Sequence, residues 1–209
     1  MALLISYLPT MYSAFARREM AVTLLEVRAG DPPSAIEMIK RYYRIHGLEK
    51  LGQIWETWEV WFAEIEESHT SLPALVFFRS PHSNHSWVTA SGTVLDAAAL
   101  TLAVVDVPQD WRANLCLRAG HLALDSIADY FEIPHNHNPQ PGDAISIGRV
   151  EFEIAMAELE AQGIPLKADR EQAWRDFSGW RVNYDRALIG LARFTMAPET
   201  RWVTDRKLK

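Results

Sequence analysis

Apolar side chains recur at helical spacing along almost the whole chain. The clearest run is Leu48, Leu51, Trp55, Trp58, Phe62 and Ile65, whose alternating intervals of three and four lay one seam along a helix packed lengthwise on a neighbour. Val60 and Trp61 broaden that apolar side, while Glu49, Glu56, Glu59, Glu66 and Glu67 make the opposite, solvated face. Upstream, a first helix runs from the N-terminus to Ala29 and stops at Gly30-Asp31-Pro32-Pro33, where glycine ends a helix and proline cannot continue one. A second begins at Ser34, which is spaced with Glu37 as a capping box, and ends near His46-Gly47. Ser71 to Phe78 is a short apolar connection, followed by the polar turn Arg79 to His85.

Ser86 to Val105 is apolar nearly all round, with Asp96 as its only charge, the pattern of a central helix covered on several sides. Its length would also suit a membrane span, but Thr89, Ser91, Gly92, Thr93 and Asp96 lower its hydrophobicity, and a charge near the bilayer centre is costly. Another helix opens at Pro108 or Gln109 and reaches Phe131, with Leu115, Ala119, Leu122, Ala123, Ile127 and Tyr130 facing inward. Pro134 to Asp143 is a loop by composition. Phe152, Met156 and Leu159 mark a shorter helix to Gln162, broken by Gly163-Ile164-Pro165. Asp169 with Gln172 caps a last long helix from Arg170 to about Met196, whose inward stripe is Trp174, Phe177, Arg181, Tyr184, Leu188 and Leu191. No run alternates as a strand would, so the expected fold is all-α: an irregular bundle of about seven helices around a central apolar one. It divides into an N-terminal juxtamembrane or linker helix, residues 1–29, and a helical body, residues 30–209.

Charge alters the picture at the N-terminus. Residues 2–15 carry no charge and include Leu3, Leu4, Ile5, Leu8 and Tyr12; the pair Arg17-Arg18 follows, where lipid headgroups would sit. The stretch is shorter than the roughly 20 residues of a span, and its basic residues follow the apolar ones, unlike a secretory signal. Two readings fit: the exit of a membrane helix with its cytoplasmic continuation, or an amphipathic helix docked on the body. The 209 residues are 48% hydrophobic and 23% charged, enough for a substantial core. A net charge of −6, with basic residues clustered only at Arg206-Lys207-Leu208-Lys209, argues against nucleic acid as a partner. The single cysteine, Cys116, excludes an internal disulfide framework and reads as a buried thiol; the eight tryptophans read mainly as core.

Candidate chemistry is sparse. Glu66 and His69 have the Glu-x-x-His spacing of carboxylate-bridged di-iron bundles, but the other match, Glu132 to His135, contains Pro134 and lies at a loop. His82, His85, His135 and His137 invite a zinc reading, yet structural zinc sites usually use cysteine, so they read as solvated loop residues. No nucleophile elbow, phosphate loop or dinucleotide fingerprint occurs. We therefore assign no catalytic residue, no metal and no cofactor. Asp96 and Arg181 are each the one charge in an apolar helical face, so they should meet each other or another buried group such as Arg118. Arg181 can also pair with Asp185 one turn on. The functional counterpart is an anion pocket made by Arg181, Tyr184 and Trp174; that face, or Glu66 with His69, would serve the alternative reading of a soluble helical enzyme or small-ligand sensor.

Six segments, YLPTMYSAFARRE (7–19), VTLLEVRAGDPPSA (22–35), WETWEVWFAEIEESHTSL (55–72), VFFRSP (76–81), SWVTASGTVLDAAAL (86–100) and REQAWRDFSGWRVNYD (170–185), give the chain a family look. Over nearly its whole length it resembles the cytoplasmic C-terminal region of bacterial two-transmembrane, pore-loop ion-channel proteins of the potassium-channel family. The loop 81–85 and His121 depart from the pattern. The resemblance implies a non-enzymatic domain for assembly, gating or sensing, at the cytoplasmic side of the inner membrane. It implies as partners a pore-forming transmembrane segment of a longer parent protein, the membrane surface and further copies of the chain. Arg17 and Arg18 are then the membrane-proximal pair. No filter sequence occurs in residues 1–209, so conduction would belong to that parent, and the resemblance supplies no ligand or catalytic residue.

Overall fold

The computed structural model describes the backbone of residues 2–206 and the side chains of residues 7–206. Leu3, Leu4 and Ile5 of the apolar opening, and Lys207, Leu208 and Lys209 of the basic tail, therefore lie outside the described side chains. Eight α-helices follow in order: α1 (Ala2–Ala29), α2 (Ala35–Arg44), α3 (Leu51–Ser71), α4 (Trp87–Ala103), α5 (Trp111–Tyr130), α6 (Arg149–Glu160), α7 (Arg170–Arg181) and α8 (Asp185–Phe194). Short 3-10 turns at Leu48–Lys50 and Pro73–Phe77 flank α3. The fold is an all-helical bundle.

α4 is the centre, packed against α1, α2, α5, α7 and α8. Every residue from Trp87 to Ala103 is buried, which is why this helix needs no polar face. At 17 residues it is one turn short of a span, and none of the described helices is long and apolar enough to cross a membrane. α3 and α5 form the most extensive helix pair, and here size complementarity decides the packing. α3 brings Trp55, Trp58, Trp61 and Phe62; α5 answers with Ala113, Cys116, Leu117, Gly120, Ala123, Leu124, Ile127 and Ala128. At Gly120 the Phe62 ring and Leu95 occupy the space a Cβ would need. The inward face of α5 is only partly the one expected: Ala123 and Ile127 are buried and Ala119 packs against the core, but Leu115, Leu122 and Tyr130 are exposed. Small residues let the backbones approach, and the large aromatics of α3 fill the gap from the other side.

The long last helix expected from Arg170 to Met196 is two helices. Asn183 turns back to donate to the Gly179 and Trp180 carbonyls at 2.9 and 3.0 Å, closing α7, and Asp185 opens α8, where an acid suits the N-terminal dipole. The caps differ from the expected boxes as well. Ser34 and Asp169 accept from the amides of Glu37 and Gln172, but neither long side chain returns to its cap: Glu37 pairs with Lys40, Arg41 and Arg44, and Gln172 donates to Asp176.

Candidate functional site

A cleft of about 650 Å³ lies between the end of α2, the 3-10 turn before α3, the end of α4 and the start of α5. Its walls are mostly apolar, with Leu48, Leu51, Trp55, Leu102 and Val107, and its rim carries Glu49, Asp110 and Arg112. Asp110 caps α5 by accepting from the Arg112 amide at 3.0 Å and holds the Arg112 guanidinium through two further bonds of 2.8 Å. That pair lies flat on α3 because residue 52 is glycine; a Cβ there would fall inside the guanidinium. Trp55 is fully buried against the cleft, and its Nε1–H has no hydrogen-bond partner.

A second polar site lies in the core. The Arg181 guanidinium is fully buried and each of its three nitrogens is engaged: Nε donates to Asp185 Oδ1 at 2.8 Å, Nη2 to the Trp202 carbonyl at 2.7 Å, and Nη1 to Asp96 Oδ1. Tyr184 Oη donates to the same Asp96 oxygen at 2.8 Å, and Asp185 also accepts from the Ser146 amide and hydroxyl. Burial pushes the Asp96 carboxyl above the usual carboxylate range, against the opposing pull of Arg181. Burial also raises the Tyr184 phenol, with the Asp96 charge adding to it. Two acids thus share one arginine, joining α4, α7 and α8. With each guanidinium nitrogen bonded to an internal acceptor and the side chain fully buried, Arg181 is not presented to an anion from outside. Trp174 belongs elsewhere, in an aromatic group with Phe152 and Phe177 and beside Arg149. The expected Arg181, Tyr184 and Trp174 pocket is not assembled, and Arg118, offered as another buried partner, is exposed.

A third cluster changes the reading of the N-terminus. Arg17 is exposed, but Arg18 is buried: it donates to the Leu75 and Phe78 carbonyls at 2.8 and 2.5 Å, to His69 Nε2 at 3.1 Å and to Glu19 Oε1 at 3.0 Å. Successive helical residues point about 100° apart, so an arginine pair at the edge of an apolar stretch has one member turned inward here. Because Arg18 has only donors, His69 Nε2 must be the bare nitrogen, and Nδ1–H faces Ser68 Oγ at 3.1 Å. Burial, reinforced by the Arg18 charge, lowers the His69 pKa to about 3. His69 is thus a neutral acceptor in a clamp between α1 and α3, with its one free lone pair spent, which removes it from the Glu66 and His69 metal reading.

The loop histidines divide. His82 and His137 are exposed, whereas His85 and the His135 side chain are buried, the latter 2% exposed. A solvated reading therefore fails for two of the four. Cys116 is buried and burial pushes its thiol up, as suits an inert core residue. Sequence reasoning missed the cleft, because its walls come from four elements. The Gly52 and Asp110-x-Arg112 combination was the one local signal. Compared with known proteins, the chain matches no family model, no curated protein and no solved structure.

Proposed function

We propose that the chain is a non-enzymatic helical domain of a bacterial channel-like membrane protein, held at the cytoplasmic face, where α1 carries subunit assembly and links the body to its membrane part. The observation that carries this reading is that α1 is apolar on two sides. Met11, Ala14, Val22, Leu25 and Ala29 are buried against the body, and Arg18 locks the same face. The opposite side repeats Tyr12, Ala16, Met20, Leu24 and Val27 at intervals of three and four, and stands in solvent: Tyr12 is 71%, Met20 63% and Val27 74% exposed. A helix with one apolar stripe in its own core and a second left bare fits a helix that packs between subunits.

Analytical ultracentrifugation tests it. The chain is expected to self-associate at micromolar concentration, and the variant Met20→Glu with Val27→Glu, both on exposed positions, to run as a folded monomer. A wild-type chain that stays monomeric at millimolar concentration overturns the assembly role. The cleft favours a sensing role for the body, since apolar walls that include Trp55 meet a charged rim of Glu49, Asp110 and Arg112. Small apolar ligands that quench tryptophan fluorescence should lose that effect when Trp55 is changed to Phe.

A further inference from the structure

The C-terminal end of α5 gathers acceptors without donors. Asp125 and Asp129, four residues apart, share one face of its last turns, where the helix dipole disfavours negative charge, and no Lys or Arg lies in the last turn. The chain then turns through Glu132, which has a left-handed φ of 54°, and folds back over the helix end. Ile133 lies where a side chain at Gly190 of α8 would sit, which fixes this return against the body. It brings His135 and His137 onto the two aspartates.

His135 Nδ1 lies 3.0 Å from the Ile133 carbonyl, which can only accept, so Nδ1 carries the proton and Nε2 of the neutral ring is bare. That Nε2 lies 3.7 Å from Asp125 Oδ1 and 3.6 Å from Asp129 Oδ1, and His137 Nδ1 lies 3.7 Å from the same Asp129 oxygen. These separations are too long for hydrogen bonds, and both His135 Nε2 and Asp125 Oδ1 are buried with no partner. The His135 side chain is 2% exposed, so bulk solvent does not reach it.

The geometry points to a divalent-cation site of the zinc class, with Asp129, His135 and His137 as ligands and Asp125 closing it from the buried side. The ligand atoms of Asp129, His135 and His137 all lie within 4.8 Å of one another. Ligands about 2.0–2.2 Å from a tetrahedral zinc sit about 3.3–3.6 Å apart, so the His135 and His137 separations from Asp129, 3.6 and 3.7 Å, are already close to that spacing, and no pair in the set has more than about 1.5 Å to close. Two imidazoles with two carboxylates suit zinc over calcium or magnesium, which take oxygen shells. The Ile133 carbonyl orients His135 as an outer partner of a ligating imidazole does. One dication supplies the charge that both aspartates and the helix end lack. Because its ligands come from the end of α5 and the loop that follows, the ion acts as a staple holding that loop to the helix.

The test is zinc titration of chelator-stripped protein in competition with a chromophoric chelator, alongside thermal unfolding with and without zinc. One equivalent per chain is expected to bind at micromolar concentration or tighter and to raise the Tm, and cobalt is expected to give the visible bands of a tetrahedral N/O site. His137→Ala and Asp129→Asn alter side chains that are 71% and 54% exposed, so the metal-free fold and its Tm should persist. Each should weaken zinc binding by at least about tenfold. No binding at millimolar zinc, or undiminished binding in the double variant, would overturn the site; the second result would place the metal elsewhere. A Tm unchanged by zinc would also overturn it, leaving His135 and the two aspartates to share a proton instead.

Discussion

Replacing Arg181 with methionine removes the one cation from a core that holds two acids. Methionine keeps an unbranched chain of similar reach, so the change is one of charge and hydrogen bonding more than of volume. Asp96 would keep the Tyr184 hydroxyl and Asp185 would keep the Ser146 amide and hydroxyl, but neither would face a counter-ion, and the Trp202 carbonyl would lose its donor. Breaking a buried pair from one side costs about 3–5 kcal/mol, a large part of the about 5–15 kcal/mol that holds a domain of this kind together. The pH dependence identifies the cause. Burial already holds the Asp96 carboxyl above its ordinary value, and losing the opposing Arg181 charge raises it further, so the native state of the variant holds more protons in the window between the unfolded and folded values. Stability then falls as pH rises through that window and returns on acidification, by up to about 1.4 kcal/mol per pH unit from the Asp96 carboxyl. Urea unfolding followed by tryptophan fluorescence at pH 7 and pH 5 reads both quantities. The variant is expected to lose about 3–5 kcal/mol at pH 7 and to regain part of it at pH 5. A loss under about 1 kcal/mol, or a loss equal at both pH values, would refute the shared-arginine account.

His69 has a folded pKa of about 3, below the ordinary histidine value of 6.5, so its contribution is complete above pH 6.5 and is lost as pH falls towards 3. The wild type should lose up to about 1.4 kcal/mol per unit through that window, and His69→Gln should lack that slope in denaturant titrations. Gly120→Ala forces a methyl between Phe62 and Leu95 and should cost about 1–3 kcal/mol by the same assay; a neutral result would mean that α3 and α5 pack more loosely than described. Cys116 should resist a thiol reagent in native buffer and react at once in denaturant, and fast native labelling would contradict its burial.

The helical architecture is legible because 3.6-residue periodicity is written in nearly every segment, and because a helix apolar all round has to be central. Which face of α5 turns inward is legible only in part. Hydrophobicity ranks Leu115, Leu122 and Tyr130 above Ala113, Gly120 and Ala128, whereas the packed face is set by the partner's bulk, here three tryptophans and Phe62 on α3. The break between α7 and α8 depends on Asn183 closing one helix and Asp185 opening the next, local signals that a continuous apolar stripe obscures. Asp96 and Arg181 stand out in the sequence because a lone charge on an apolar face needs a counter-ion, and the structure places them in contact. Asp125, Asp129, His135 and His137 span a helix end and a loop, so their meeting depends on how the chain returns after Phe131. Spacing along the sequence does not record that.

The claim that α1 leads from this domain into a channel-like membrane part is tested most directly by the reading frame upstream of Met1 in the source DNA. The account expects it to continue without a stop into two apolar spans, each of roughly 20 residues, on either side of a pore loop. An in-frame stop codon, with a ribosome-binding site immediately before Met1, would contradict it.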